Sequence, residues 1–228
     1  MGKIFNMDSP FFQLMERVTD FVILNILTII CSLPLFTVGA ALTAHHKVMQ
    51  NFVMDSEQPV LRSYFRAFAG NFKQATVVWL ITAALLALIA VDVWFIYMYL
   101  DGLAFMLYVI LAVVSAILLG TTCYAFALIA RYDNTLKDHL KNSFVLAVGN
   151  LPKTVLMLAI WVIAPVVVVL ALELSFNFLL ILATLGISLI IYAHTRILKP
   201  VFLMLEQEED EEEKDDKDNT AENEVVSL

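Results

Sequence analysis

Cysteine, basic residues and recognisable catalytic motifs are all scarce in this chain, and each scarcity removes a class of protein. Of 228 residues, 14 are Lys or Arg and two are Cys. Cys31 and Cys123 both fall inside apolar runs. They are too few and too far apart for a disulfide framework or a zinc site, so inert buried thiols are expected. No G-x-S-x-G, H-E-x-x-H or P-loop is present, nor paired carboxylates at helical spacing. The chain is therefore not expected to be an enzyme or to carry a metal or cofactor. With no basic patch interleaved with aromatics, nucleic-acid binding has no support. A secretory leader needs a basic start, but residues 1–20 set Lys3 and Arg17 against Asp8, Glu16 and Asp20. No small-residue cleavage site follows, so a leader is not expected.

What is abundant is apolar surface. Hydrophobic residues make up 61% of the chain and its mean hydropathy is +0.82. A soluble domain of this size cannot bury that much, so the lipid bilayer is the expected surrounding. The net charge of −8 conceals an asymmetry. From Glu206 onward twelve acidic residues face only Lys214 and Lys217, a net of −10, which leaves residues 1–205 at +2.

Four runs reach the roughly 20 residues a span requires: Ala75–Leu100, Leu103–Ala130, Thr154–Leu172 and Phe176–Leu198. An earlier run, Phe21–Ala44, is broken by Pro34. It is read as one kinked span, with a re-entrant dip as the alternative. Lys47, Arg62, Arg66 and Lys73 follow the first run; Arg131, Lys137, Lys141 and Lys153 follow the third; the turns at 101–102 and 173–175 carry no base. Cytoplasmic loops are the ones enriched in Lys and Arg, which puts both long loops and the C-terminus inside. Short turns pair the runs into two helical hairpins. Ala83, Ala87, Ala90 and Ala112, Ala116, Gly120 supply small-residue stripes for packing.

The two long loops resemble each other. Val60, Leu61, Tyr64, Phe65 and Phe68 form one apolar stripe; Leu136, Leu140, Phe144 and Val148 form the other. Each reads as an amphipathic helix at the membrane surface, ending in Gly-Asn before Lys73 or Lys153. The unit recurs in the same orientation, a candidate parallel internal repeat. The expected fold is thus an all-α integral membrane protein of about five transmembrane helices with two cytoplasmic interfacial helices. Its expected divisions are an interfacial segment (1–17), a membrane domain (18–205) and a disordered acidic cytoplasmic tail (206–228).

Candidate site residues are few. Asp92 is the one acid well inside a span. It could face an outward-open pocket with Asp101 and Glu173, binding a cation or polar ligand, or could simply lie near the headgroups. His45, His46 and Lys47 cluster at the inner end of the first run. With Arg62, Arg66, Lys137 and Lys141 they are expected to contact lipid headgroups or a partner. Adjacent histidines on a helix point in different directions, so they are not expected to hold a metal.

The stretch Leu33-Pro34-Leu35-Phe36-Thr37-Val38-Gly39-Ala40-Ala41 resembles the LP-x-x-T-x-G-x-A element of the YesL-like family of small bacterial integral membrane proteins. Phe65-Arg66-Ala67-Phe68, Gly70-Asn71-Phe72-Lys73 and Asn150 fit as well, over roughly residues 10–200. The resemblance implies an uncharacterised protein of the bacterial plasma membrane, associated with binding-protein-dependent carbohydrate uptake, with ABC transporter subunits as partners. It brings no established site residues. The ABC permease's coupling-loop signature is missing, so an accessory or regulatory component is the first expectation and a small transporter or channel the second.

Overall fold

The computed structural model describes residues 10–54, 56, 58–100, 104–174 and 176–226, and no strand occurs among them. Seven α-helices follow one another: α1 (Pro10–Cys31), α2 (Val38–Val53), α3 (Val60–Tyr99), α4 (Ala104–Arg131), α5 (Leu136–Gly149), α6 (Leu151–Leu174) and α7 (Phe176–Val226). A 3-10 turn, Leu35–Thr37, joins the first two. Four helices among the described residues are long and apolar enough to cross a membrane: α3, α4, α6 and α7, the last over Leu180–Gln207. This suits a multi-pass membrane protein. The count is four where five were expected, and the difference lies in the first apolar run.

That run is a hairpin and not one kinked span. Pro34 sits in extended backbone (φ −74°, ψ 110°), and a proline ring disfavours helix in the residue before it. The Thr37 hydroxyl donates to the carbonyls of Cys31 and Pro34, satisfying acceptors freed where α1 stops. Beyond the turn the chain doubles back. Thr28 meets His45 and Phe21 meets Phe52, so seven residues back along α1 match seven forward along α2. That is antiparallel register. A second reversal follows, because Gly39 meets Ala75 and Asn51 meets Ser63, twelve residues along each of α2 and α3. At the hairpin tip the Trp79 indole donates to the Leu35 carbonyl at 2.8 Å.

The two loop units differ in the same way a proline would make them differ. α3 runs unbroken through Gly70-Asn71, so its first turns are not a separate interfacial helix. In the second unit Pro152 follows Gly149-Asn150, and the helix stops at Gly149 and restarts at Leu151. A proline fits a helix's first turn, where its missing N–H would be unpaired in any case. The packing face of α5 also departs from the apolar stripe. His139, Ser143 and Ala147 are buried, while Phe144, Val145 and Val148 are exposed. Thr135 caps this helix by accepting from the Asp138 amide.

α7 continues as helix through the acidic segment that composition alone reads as disordered. The span upstream has already met the cost of nucleation, and glutamate is a good helix former.

Packing is concentrated at the end of the bundle where the basic loops lie. α2 is its wedge, in contact with α1, α3, α4 and α7. Beyond Thr82, Ile96 is the one described residue of α3 that is buried; before Gly120, none of α4 is. The outer halves present Leu, Val, Ile and Phe outward, the surface a hydrocarbon phase accepts. The alanine stripes follow suit. Ala87, Ala90, Ala112 and Ala116 are exposed, Ala83 is half-buried, and Gly120 is packed against Thr154 of α6.

Candidate functional site

The buried polar side chains gather around α2. Asn25 of α1 donates to the Ala183 carbonyl at 2.6 Å and accepts from the Ile187 amide at 3.1 Å. It thereby engages both groups of one i,i+4 rung of α7. Next to it, Ser188 donates to the Phe21 carbonyl at 2.7 Å. Deeper in, Thr28 and His45 Nδ1 lie 2.8 Å apart, and wholly buried Tyr64 brings its hydroxyl beside Thr28 and Cys31. His46 lies within electrostatic reach of His45 and His194. His194 Nε2 is 3.2 Å from the Met157 carbonyl, and Gln50 donates to the Ala127 carbonyl at 2.8 Å. Four polar atoms in this group, His45 Nε2, His46 Nδ1, Gln50 Oε1 and the Tyr64 hydroxyl oxygen, are buried with no hydrogen-bond partner among the described residues. Such groups are costly to leave unpaired. The cluster offers imidazole, amide and hydroxyl groups without a carboxylate, so its chemistry is hydrogen bonding to water or another polar group. Among the described residues no three His, Cys, Asp or Glu side chains are arranged to hold a metal.

This placement corrects the expectation for the tandem histidines. His45 and His46 are 0% and 4% exposed, inside the bundle, and a lipid headgroup does not reach them. The doubling-back of α1 on α2 covers a face that a single kinked span would have left open. Lys47 is half-buried near Arg131 and Asp133. Lys137 and Lys141 are exposed on α5. Arg62 and Arg66 are exposed on α3 and line a cavity of about 230 Å³ with Gln58, Pro59 and Ser63.

Asp92 is exposed on α3 and Glu173 on α6, and no hydrogen bond or ion pair joins them. Asp101 lies outside the described residues. Neither of the two cavities described here is lined by Asp92 or Glu173.

A second cavity, about 200 Å³, lies between the end of α4, α5 and the exit of α7, lined by Tyr132, Asn134, His139, Asn142 and apolar neighbours. Burial pulls the His139 imidazole below its ordinary value, while Asp138 and Asp133 oppose the shift more weakly. Beside this cavity Arg131 Nε donates to Glu206 at 2.9 Å, and the guanidinium stands over the Phe202 ring, 5.2 Å from its centre. Lys199 donates to the Val53 carbonyl at 2.9 Å. These contacts tie α2 and α4 to the point where α7 becomes acidic.

Reading the sequence alone missed Asn25, Gln50, Trp79 and the Arg131–Glu206 pair. Asn25 was visible as an amide inside an apolar run. Nothing local marks Arg131 and Glu206 as neighbours, because they are 75 residues apart.

Residues 21–93 match the model of a family described as a protein of unknown function, DUF624. The match spans the second half of α1, all of α2 and most of α3, and so contains the 33–41 element. It points to an uncharacterised family and does not carry the YesL-like name. No curated protein and no solved structure matches the chain.

Proposed function

We propose that this protein is an accessory or regulatory membrane component that presents its basic loops and acidic tail to the cytoplasm of a bacterial cell. It works beside a binding-protein-dependent carbohydrate uptake system rather than moving solute itself. What supports the accessory role is the distribution of buried polar groups. On α3, α4, α6 and α7 they include Thr82, Thr122, Thr154, Ser188, His194 and Thr195. Thr82, Thr122, Thr154, His194 and Thr195 lie toward the basic end, and Ser188 lies in the first half of α7's span beside Asn25 of α1. None of the buried polar residues lies in the outer halves of α3, α4 and α6, among the described residues. A transporter or channel needs polar groups along its whole path. Here the polar interior stops partway, and a cap of lipid-facing Leu, Val and Phe follows. The carbohydrate half of the proposal rests on the resemblance of residues 33–41.

Pull-down in mild detergent tests this reading. It should recover uptake-system subunits, with less recovered after deletion of residues 206–228. Solute flux in liposomes holding this protein alone would refute it.

A further inference from the structure

We propose that the cavity bounded by Gln58, Pro59, Arg62, Ser63 and Arg66 is a phosphate site, filled in the membrane by the headgroup of an acidic phospholipid. Arg62 and Arg66 stand one turn apart on the same face of α3 and both line the cavity. Two planar guanidiniums so spaced can each give paired N–H donors to phosphate oxygens. No ion pair or hydrogen bond engages either of them among the described residues. Ser63 is a third, independent donor. It is 7% exposed, and its oxygen accepts from the Asn51 amide at 2.9 Å. That bond fixes the hydroxyl and leaves its proton to be given into the cavity. At about 230 Å³ the space is several times a water molecule's share of liquid volume, about 30 Å³, and admits a phosphate with its ester substituents.

Two observations favour a lipid over free phosphate. The first is depth. Asn51, which holds Ser63, is two residues before Val53, whose carbonyl binds Lys199 at the end of the apolar part of α7. The cavity therefore lies where hydrocarbon gives way to headgroups. The second is the neighbouring surface. Leu61 and Phe65, each the immediate neighbour of an arginine, are 53% and 50% exposed. They offer acyl chains a landing beside the phosphate, which a soluble anion would not use. The inference is independent of the accessory role.

Native mass spectrometry from mixed phosphatidylglycerol and phosphatidylcholine micelles tests it. The wild type should retain one phosphatidylglycerol preferentially, and Arg62→Gln with Arg66→Gln should weaken retention about tenfold or more. Lys137→Gln with Lys141→Gln, which removes the same charge from α5, should leave retention unchanged. Should the arginine variant not fold, Arg62→Lys with Arg66→Lys keeps the charge and loses the paired geometry, and retention should still fall. Equal loss in the α5 variant, or no loss in either arginine variant, would overturn the site. Displacement of the lipid by millimolar inorganic phosphate, with the same arginine dependence, would overturn its assignment to a lipid.

Discussion

Replacing Gly39 by alanine probes the hairpin where it has least room. A Cβ there would lie 2.3 Å from the Ala75 carbonyl oxygen and 2.6 Å from Trp79 Cβ, against ordinary contacts of about 3.5–4.0 Å. Neither neighbour is the end of a flexible side chain, so α2 and α3 must separate by about 1 Å. Overpacking of this kind costs about 1–3 kcal/mol. The same movement strains the Trp79–Leu35 hydrogen bond, for about 0.5–1.5 kcal/mol more. Removing a helical glycine returns about 0.5–1 kcal/mol. The net expectation for Gly39→Ala is a loss of about 2 kcal/mol. Gly70, in the middle of α3, has nothing within 4 Å of the same built atom, and Gly70→Ala should stabilise by about 0.5–1 kcal/mol. Reversible unfolding in mixed micelles, titrated with a denaturing detergent, measures both. If the two variants shift stability in the same direction, the close approach of α2 to α3 is refuted.

Asn25→Leu should cost about 1–3 kcal/mol, since an Asn that satisfies both groups of the 183–187 rung is lost; hydrogen exchange should rise at Ile187, and an unchanged rate would contradict the contact. Arg131→Gln and Glu206→Gln should show a coupling energy of about 1 kcal/mol or less in a double-mutant cycle, falling with salt, because Glu206 is 38% exposed. For His139 the sign follows from burial: its folded value is lowered, so below about 6.5 the unfolded chain binds the proton first. Its contribution should be complete above that pH and lost as pH falls toward the lowered folded value, and His139→Gln should flatten the slope in unfolding titrations from pH 7 to 5.

The membrane class, the four long spans and the basic end were legible because hydropathy and charge placement act residue by residue. The hairpin was only half legible. Pro34 announced a break, but which of a kink and a reversal follows depends on Thr37 capping α1, on Trp79 reaching Leu35 and on Gly39 admitting Ala75. These are contacts between elements. The same limit explains Gly70 and Gly149, identical in their Gly-Asn context and separated in outcome by Pro152. Asp92 drew attention as a lone acid, yet its face of α3 is exposed. The polar interior instead uses His45, His46 and Gln50, which in sequence look like the wet end of a span.

Sidedness of labelling at three single cysteines tests the central claim, that residues 10–53 enter the bundle and return. In a background with Cys31 and Cys123 replaced, cysteine is placed in turn at Glu16, Ser56 and Lys141, and a membrane-impermeant maleimide is applied from each side. All three positions should react from the same side. Reaction of position 16 from the side opposite to position 56 would make the first run a crossing and contradict the account.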